Sequence, residues 1–349
     1  MKDAIVRDAD TNSGILFQGD SAYHHAMRVS PSLYRRILDF TALVRIAANA
    51  RIQVRRKRQY RRLLRGELPR AMTNGEIYVV YQPKLALREG CYDGVETLLR
   101  WRHPSLGEVD RGSVIEAAET SGQIHSLTLW ILDRAICDQR TLADQLGKFR
   151  FHVNISGKSL GNDGFIDCAC ALASSAVGPI GFEITETAFI ANPPAAMANL
   201  KRLVAAGIKI SIDDYGSGHS SLAYLKELPA DELKIDKLFV SGMTRSNRDP
   251  LIVRSTIDLA HALEMRVVAE GVESHATLAL LRVMGCDVAQ GFYISPAMRF
   301  QELIRFLGNV DHLRQLNNAD ISLNPSRAFW VRSERENVVG QPDVPSSSH

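Results

Sequence analysis

The stretch KISIDDYGSGHSSL, residues 209–222, alternates Lys209, Ile210, Ser211 and Ile212 with the period of a strand, then runs into two adjacent carboxylates and a loop of glycines and serines. Like charges repel and a buried carboxylate is costly. A core strand that ends in Asp213 and Asp214 therefore either turns into solvent or delivers both groups to a site. Asp and Gly are ordinary turn residues, and this stretch alone leaves both readings open. Its neighbours decide between them.

Seven further strand-like stretches surround it: YVVYQPKL, GVETLLRW, FRFHVNIS, IGFEITET, ELKID, RVVAEGVE and DVAQGF. Most are separated by segments of helical periodicity such as PAAMANLKRLVAAG and HATLALLRVMG, and Gly207 and Gly285 stand where helix C-termini favour glycine. Eight strands with intervening helices predict an α/β fold, a (β/α)8 TIM-like barrel, and such barrels place their chemistry at the carboxyl ends of the strands. Those ends are polar here: Glu96, Asn154, Glu183 with Glu186, Asp213 with Asp214, Lys234 with Asp236, Glu270 with Glu273, and Gln290. Any one could be a turn residue or a satisfied core polar group. Seven successive strands ending this way point to a site.

A ring of carboxylates at one barrel mouth repels itself unless cations neutralise it. The candidate ligands Glu96, Asn154, Glu183, Asp213 and Asp214 are all oxygen donors, which favours Mg²⁺ or Mn²⁺ over Zn²⁺. Two such ions about 4 Å apart suit phosphoryl chemistry, since they can activate a water and bind phosphoryl oxygens. The adjacent Asp213 and Asp214 could serve both ions.

In order along residues 75–308, the motifs YQPK, ETLLRW, NIS, EITE, DDYGSGHSSL, LKID, AEGVE and QGFYISP resemble the EAL-domain cyclic di-GMP phosphodiesterases. The resemblance implies an EAL-type barrel that hydrolyses one phosphodiester bond of cyclic di-GMP to give linear 5'-pGpG. It makes Glu96 the signature glutamate and a metal ligand with Asn154, Glu183, Asp213 and Asp214. Glu270 becomes a general base or a ligand of the water, and Lys234 the residue that orients that water and offsets transition-state charge. Gln82 and Arg100 become substrate contacts, with Asp236 and Gln290 supporting substrate or Lys234. Glu186 anchors the loop after the paired aspartates, which would couple the site to a homodimer. The signature carries Thr97 where the family has Ala; side chains alternate along a strand, so Thr97 faces away from the site and little catalytic loss is expected. The competing reading is a catalytically silent EAL-like receptor that binds cyclic di-GMP or a protein partner. Such relatives typically lose a ligand carboxylate or the lysine, and neither is lost here. An unrelated barrel enzyme acting on a phosphorylated metabolite would need the motif order to be accidental.

The 349 residues, 45% hydrophobic and 23% charged, suffice for one large domain. The expected division is a helical, basic N-terminal extension over 1–70, the barrel over 71–312 and a disordered tail over 313–349. The run RIQVRRKRQYRRLLR, residues 51–65, holds eight Lys or Arg and no acid, so the basic balance is local. It reads as the solvated face of a helix, with an anionic membrane surface or nucleic acid as alternative contacts. No uncharged run is long enough to span a bilayer. Five scattered cysteines and no signal-peptide pattern suggest a reducing cytoplasm. Cys168 and Cys170 lack a second pair at zinc spacing and are expected to be buried small hydrophobes.

Overall fold

The structure is a computed structural model, and it describes residues 59–185, 188, 193–216 and 225–318. Outside the described residues lie Glu186, most of the loop after Asp214, residues 51–58 of the basic run, and the tail beyond 318. The chain divides into two units, Met1–Arg62 and Leu63–His349, and every strand among the described residues belongs to the second.

Eight strands close into a barrel: β1 (Ile77–Ala86), β2 (Cys91–His103), β4 (Arg150–Ile155), β5 (Ile180–Thr185), β6 (Lys209–Tyr215), β7 (Glu232–Ile235), β8 (Arg266–Ala269) and β9 (Val288–Ala289). The short β3 (Gly107–Val109) pairs with β2 outside the ring. Strands β2 and β4 to β9 run parallel to one another, whereas β1 is antiparallel to both β2 and β9. The cause is the connection. Only residues 87–90 separate β1 from β2, whereas a parallel crossover needs a dozen or more. The amino-terminal half of β1 therefore lies at the mouth beside the carboxyl ends of the others, with Gln82 opposite Glu96.

The parallel strands are buried on both faces, as a ring of helices requires. The helices begin on side-chain caps. Asn162 accepts from Phe165 N at 2.8 Å to start Asp163–Ala173, and Ser274 accepts from Thr277 N at 3.1 Å to start His275–Val283. Gly207 and Gly285 follow their helices at φ of 83° and 78°, as their sequence positions suggest. The amino-terminal ends of four strands close the barrel floor with charge: Arg150 meets Glu232 at 2.7 Å, and Arg266 meets Asp93 at 2.9 Å and Glu232 at 3.2 Å.

The cysteine pair departs from the sequence expectation, and two helices cross the expected domain edges. Residues 59–73 are helical and run through the expected boundary at 70, with Leu64, Leu68 and Ala71 fully buried. At the other end, helix Val310–Asn318 runs through the boundary at 312 and buries Leu316. Cys168 is exposed and Cys170 half-buried, because helix Asp163–Ala173 packs through Phe165, Ile166 and Ala169 and turns both sulfurs away from the core. Leu68→Ala is expected to cost about 2–5 kcal/mol, read as a lower urea midpoint with an unchanged slope; a neutral substitution would mean that this helix is not part of the folded body.

Candidate active site

The barrel mouth opens into a cavity of about 930 Å³, lined by Gln82, Glu96, Arg100, Asp213, Asp214, Glu270 and Gln290 among others. Alternation along β2 sends Glu96, Leu98 and Arg100 to the same face. Asp213 and Asp214 both reach the cavity because the β6–β7 register breaks between Ile212 and Tyr215. Asp214 adopts φ of 56°, a left-handed conformation that Asp tolerates better than most residues, and its backbone N–H donates to Asp213 Oδ1 at 3.0 Å.

Lys234 organises the acids. Its ammonium is fully buried and lies 2.7 Å from Glu183 Oε2, 3.0 Å from Asp213 Oδ1 and 2.6 Å from Glu270 Oε1. Burial works against its charge, but Glu183, Glu270, Glu96 and Asp213 outweigh burial and hold it well above the ordinary lysine range. Burial pushes the Glu270 carboxyl up to about 7, with Lys234 opposing and Asp213 and Glu96 adding to the rise. Asp213 and Asp214 are also raised, first by burial and then by neighbouring carboxylates. Glu183 behaves oppositely. Burial alone would raise it, yet contact with Lys234 and Lys84 brings it down to about 2.

Glu96 is held from two sides, accepting from Asn154 Nδ2 at 2.9 Å and from Gln290 Nε2 at 2.6 Å. Gln290 also donates to Gln82 Oε1 at 3.0 Å, and Gln82 donates to Ser295 O at 3.0 Å. Other expected residues stand apart from the cavity. Asn154 lines a second cavity of about 470 Å³ beside the first. Asp236 Oδ1 accepts from Leu238 N at 2.7 Å and so caps helix Lys237–Gly242. Glu183 lies buried, with one oxygen on each of two lysines.

Several residues that sequence reasoning passed over belong to the site. Lys84, fully buried, holds Glu183 Oε1 at 2.6 Å; its signal was its place two residues after Gln82, on the same inward face of β1. Arg111 reaches 4.0 Å from Glu96 Oε1, and the Arg299 guanidinium lies 3.8 Å above the Tyr78 ring at the rim. Their signals were weak, since all three come from outside the polar strand ends. The loops after β8 and β9 interlock through backbone, with Val272 N donating to Gln290 O at 3.0 Å and Tyr293 N to Val272 O at 2.9 Å. A Cβ on Gly291 would lie 2.2 Å from Val272 N and O. Gly291→Ala is therefore expected to destabilise by about 1–3 kcal/mol or more and to weaken turnover; an unchanged melting temperature would contradict the interlock.

The donor set fits a hard divalent cation. Asp213, Asp214 and Glu270 each offer an oxygen within 4.8 Å of the others, Glu96 adds a fourth carboxylate, and the positive groups in contact with these four, Lys234 and the more distant Arg111, are fewer than the acids.

A family model described as EAL domain matches residues 65–297. A Pseudomonas aeruginosa protein named cyclic di-GMP phosphodiesterase NbdA is 37% identical over 262 residues, covering 72% of this chain and 34% of that protein. The cyclic di-GMP phosphodiesterase RocR of the same organism is 34% identical over 266 residues, covering 73% of this chain and 68% of its own. Among solved structures, the PaMucR phosphodiesterase in complex with c-di-GMP superposes with a TM-score of 0.65 at 34% identity, over 69% of this chain and 99% of that one. The chain spans about a third to two fifths of the length of several curated relatives it matches.

Proposed function

Because the chain belongs to the EAL domain family, we propose that it hydrolyses cyclic di-GMP to linear 5'-pGpG with the help of divalent cations. The observation that carries this reading is the convergence of Glu96, Asp213, Asp214 and Glu270 on one cavity, with the Lys234 ammonium fixed among them. Glu96, Asn154, Asp213 and Asp214 would hold the metal, two ions of Mg²⁺ or Mn²⁺, with Glu183 joining them if it leaves its lysines. Bound there, such ions neutralise the acids, polarise the phosphoryl oxygens and raise the acidity of water.

The chain's own groups do the rest. Arg100 presents a fork of donors suited to a phosphate, and the Gln82 and Gln290 amides offer further contacts in the same cavity. Glu270, with its carboxyl near 7, is placed to take a proton from the attacking water. Water adds to phosphorus, the bond to one ribose 3'-oxygen breaks, and that oxygen leaves with a proton, giving a 5'-phosphate and a free 3'-hydroxyl. Lys234 keeps a fixed positive charge beside Glu270 and Asp213 as negative charge builds up. Asp236 supports Lys234 indirectly, by ordering the segment after β7.

Arg100→Ala is expected to raise KM about ten-fold or more with a smaller change in kcat; steady-state kinetics check this, and an unaltered KM would remove Arg100 from the substrate contacts. A homodimer coupled through Glu186 and the loop after Asp214 belongs to the same reading and is tested by sedimentation. No helix among the described residues is long and apolar enough to cross a membrane, and five free thiols fit the proposed cytoplasmic setting. An anionic surface or nucleic acid remains the proposed contact of the basic run 51–65, tested by the salt dependence of binding.

A further inference from the structure

We propose that Lys84 is a positioning residue for the reaction: its buried ammonium holds one oxygen of Glu183 so that the other keeps Lys234 at the junction of Asp213 and Glu270. The proposal rests on the phosphodiesterase reading.

A fully buried lysine inside a barrel needs a reason. An aliphatic side chain would fill the same space without desolvating an ammonium, and replacing buried ion pairs by hydrophobes is often neutral or stabilising. Lys84 meets one carboxylate, Glu183, at 2.6 Å, and Glu183 meets Lys234 at 2.7 Å. His152 Nδ1 is also 3.4 Å from Glu183. The two ammoniums lie closer to Glu183 than the imidazole does, and both make direct ion pairs with it.

The two lysines share Glu183 unequally in function. Lys234 has two other acids to serve, Asp213 and Glu270 at the cavity, whereas the ion pair of Lys84 is with Glu183 alone. Lys84 neutralises Glu183 from the far side. It thereby weakens the pull of Glu183 on Lys234 and leaves that ammonium balanced between the core and the cavity. Without Lys84, Glu183 would hold Lys234 more tightly and draw it from the acids where charge develops. The net charge around the mouth would also become more negative by one, which favours any divalent cation. Turnover and cation affinity should then move in opposite directions, which a loss of structure alone would not do.

The test uses the full chain and Lys84→Met, with melting temperature as the check on folding. Expected are a kcat lower by about ten-fold or more with KM within about three-fold, and Mn²⁺ bound about three-fold more tightly in calorimetric titration without substrate. In a Glu183→Gln background the same substitution should change kcat by less than about two-fold, because the coupling runs through Glu183. An equal loss in both backgrounds, or Mn²⁺ bound no more tightly, would overturn the proposal. If Lys84→Met does not fold, Lys84→Arg keeps the charge and is expected to fold and retain kcat within about ten-fold; an unfolded or inactive Lys84→Arg overturns it too. A wild-type chain without turnover would sink the phosphodiesterase reading, while the Mn²⁺ titrations would still judge Lys84.

Discussion

Lys234→Met is expected to lower kcat by about 10²- to 10³-fold while the affinity for cyclic di-GMP changes far less. The ammonium is fully buried and bonded to three carboxylates, so it spends no conformational entropy on reaching the site. A charge fixed in a low-dielectric environment stabilises developing negative charge more than a mobile one in water does. In the proposed mechanism substrate is held by other groups, Arg100, Gln82 and Gln290, which line the same cavity. A second effect competes, since removing one partner of a buried ion pair costs about 3–5 kcal/mol. The raised carboxyls of Asp213 and Glu270 can relieve much of it by taking up protons. The variant should therefore fold with a lower melting temperature and still bind substrate. Single-turnover rates with equilibrium binding on the same sample check this, and near-normal turnover would remove Lys234 from the reaction.

Chelation is expected to abolish turnover entirely, and Mg²⁺ or Mn²⁺ to restore it. At the mouth Glu96, Asp213, Asp214 and Glu270 line one cavity with the Lys234 ammonium beside two of them and Arg111 near Glu96, so the acids outnumber the positive groups in contact with them until cations enter. A cation that binds only the folded protein at about 100 times its Kd adds about 2.7 kcal/mol of stability, so the melting temperature should rise with added Mg²⁺ or Mn²⁺. Ca²⁺ should bind and inhibit, because its longer and more irregular coordination misplaces the water. Activity that survives excess EDTA, with a melting temperature indifferent to metal, would contradict the cation site. Glu96→Ala and Asp213→Ala should mimic chelation.

Much of this site was legible because chemistry at a barrel mouth collects at strand ends, and polar residues there stand out against apolar strands. Glu96, Asp213, Asp214, Glu270 and Gln290 were found in that way and share one cavity. Local pattern could not show who pairs with whom. Glu183 looked like one more ligand, yet its oxygens rest on lysines from β1 and β7, two strands far apart in sequence. Lys84 was passed over because one lysine in an apolar strand reads as a solvent-facing residue until the barrel closes around it. The antiparallel β1 was in fact readable, since four residues cannot carry a parallel crossover. The burial of Leu64, Leu68 and Leu316 was not readable from local pattern, since burial depends on tertiary packing.

The most direct measurement is to incubate the purified full chain with cyclic di-GMP and Mg²⁺ and separate the products by chromatography over time. The account predicts a single early product, linear 5'-pGpG, formed with Mg²⁺ and absent in excess EDTA. Cyclic di-GMP that binds at saturating Mg²⁺ or Mn²⁺ and is recovered uncleaved would contradict it and leave the barrel a receptor.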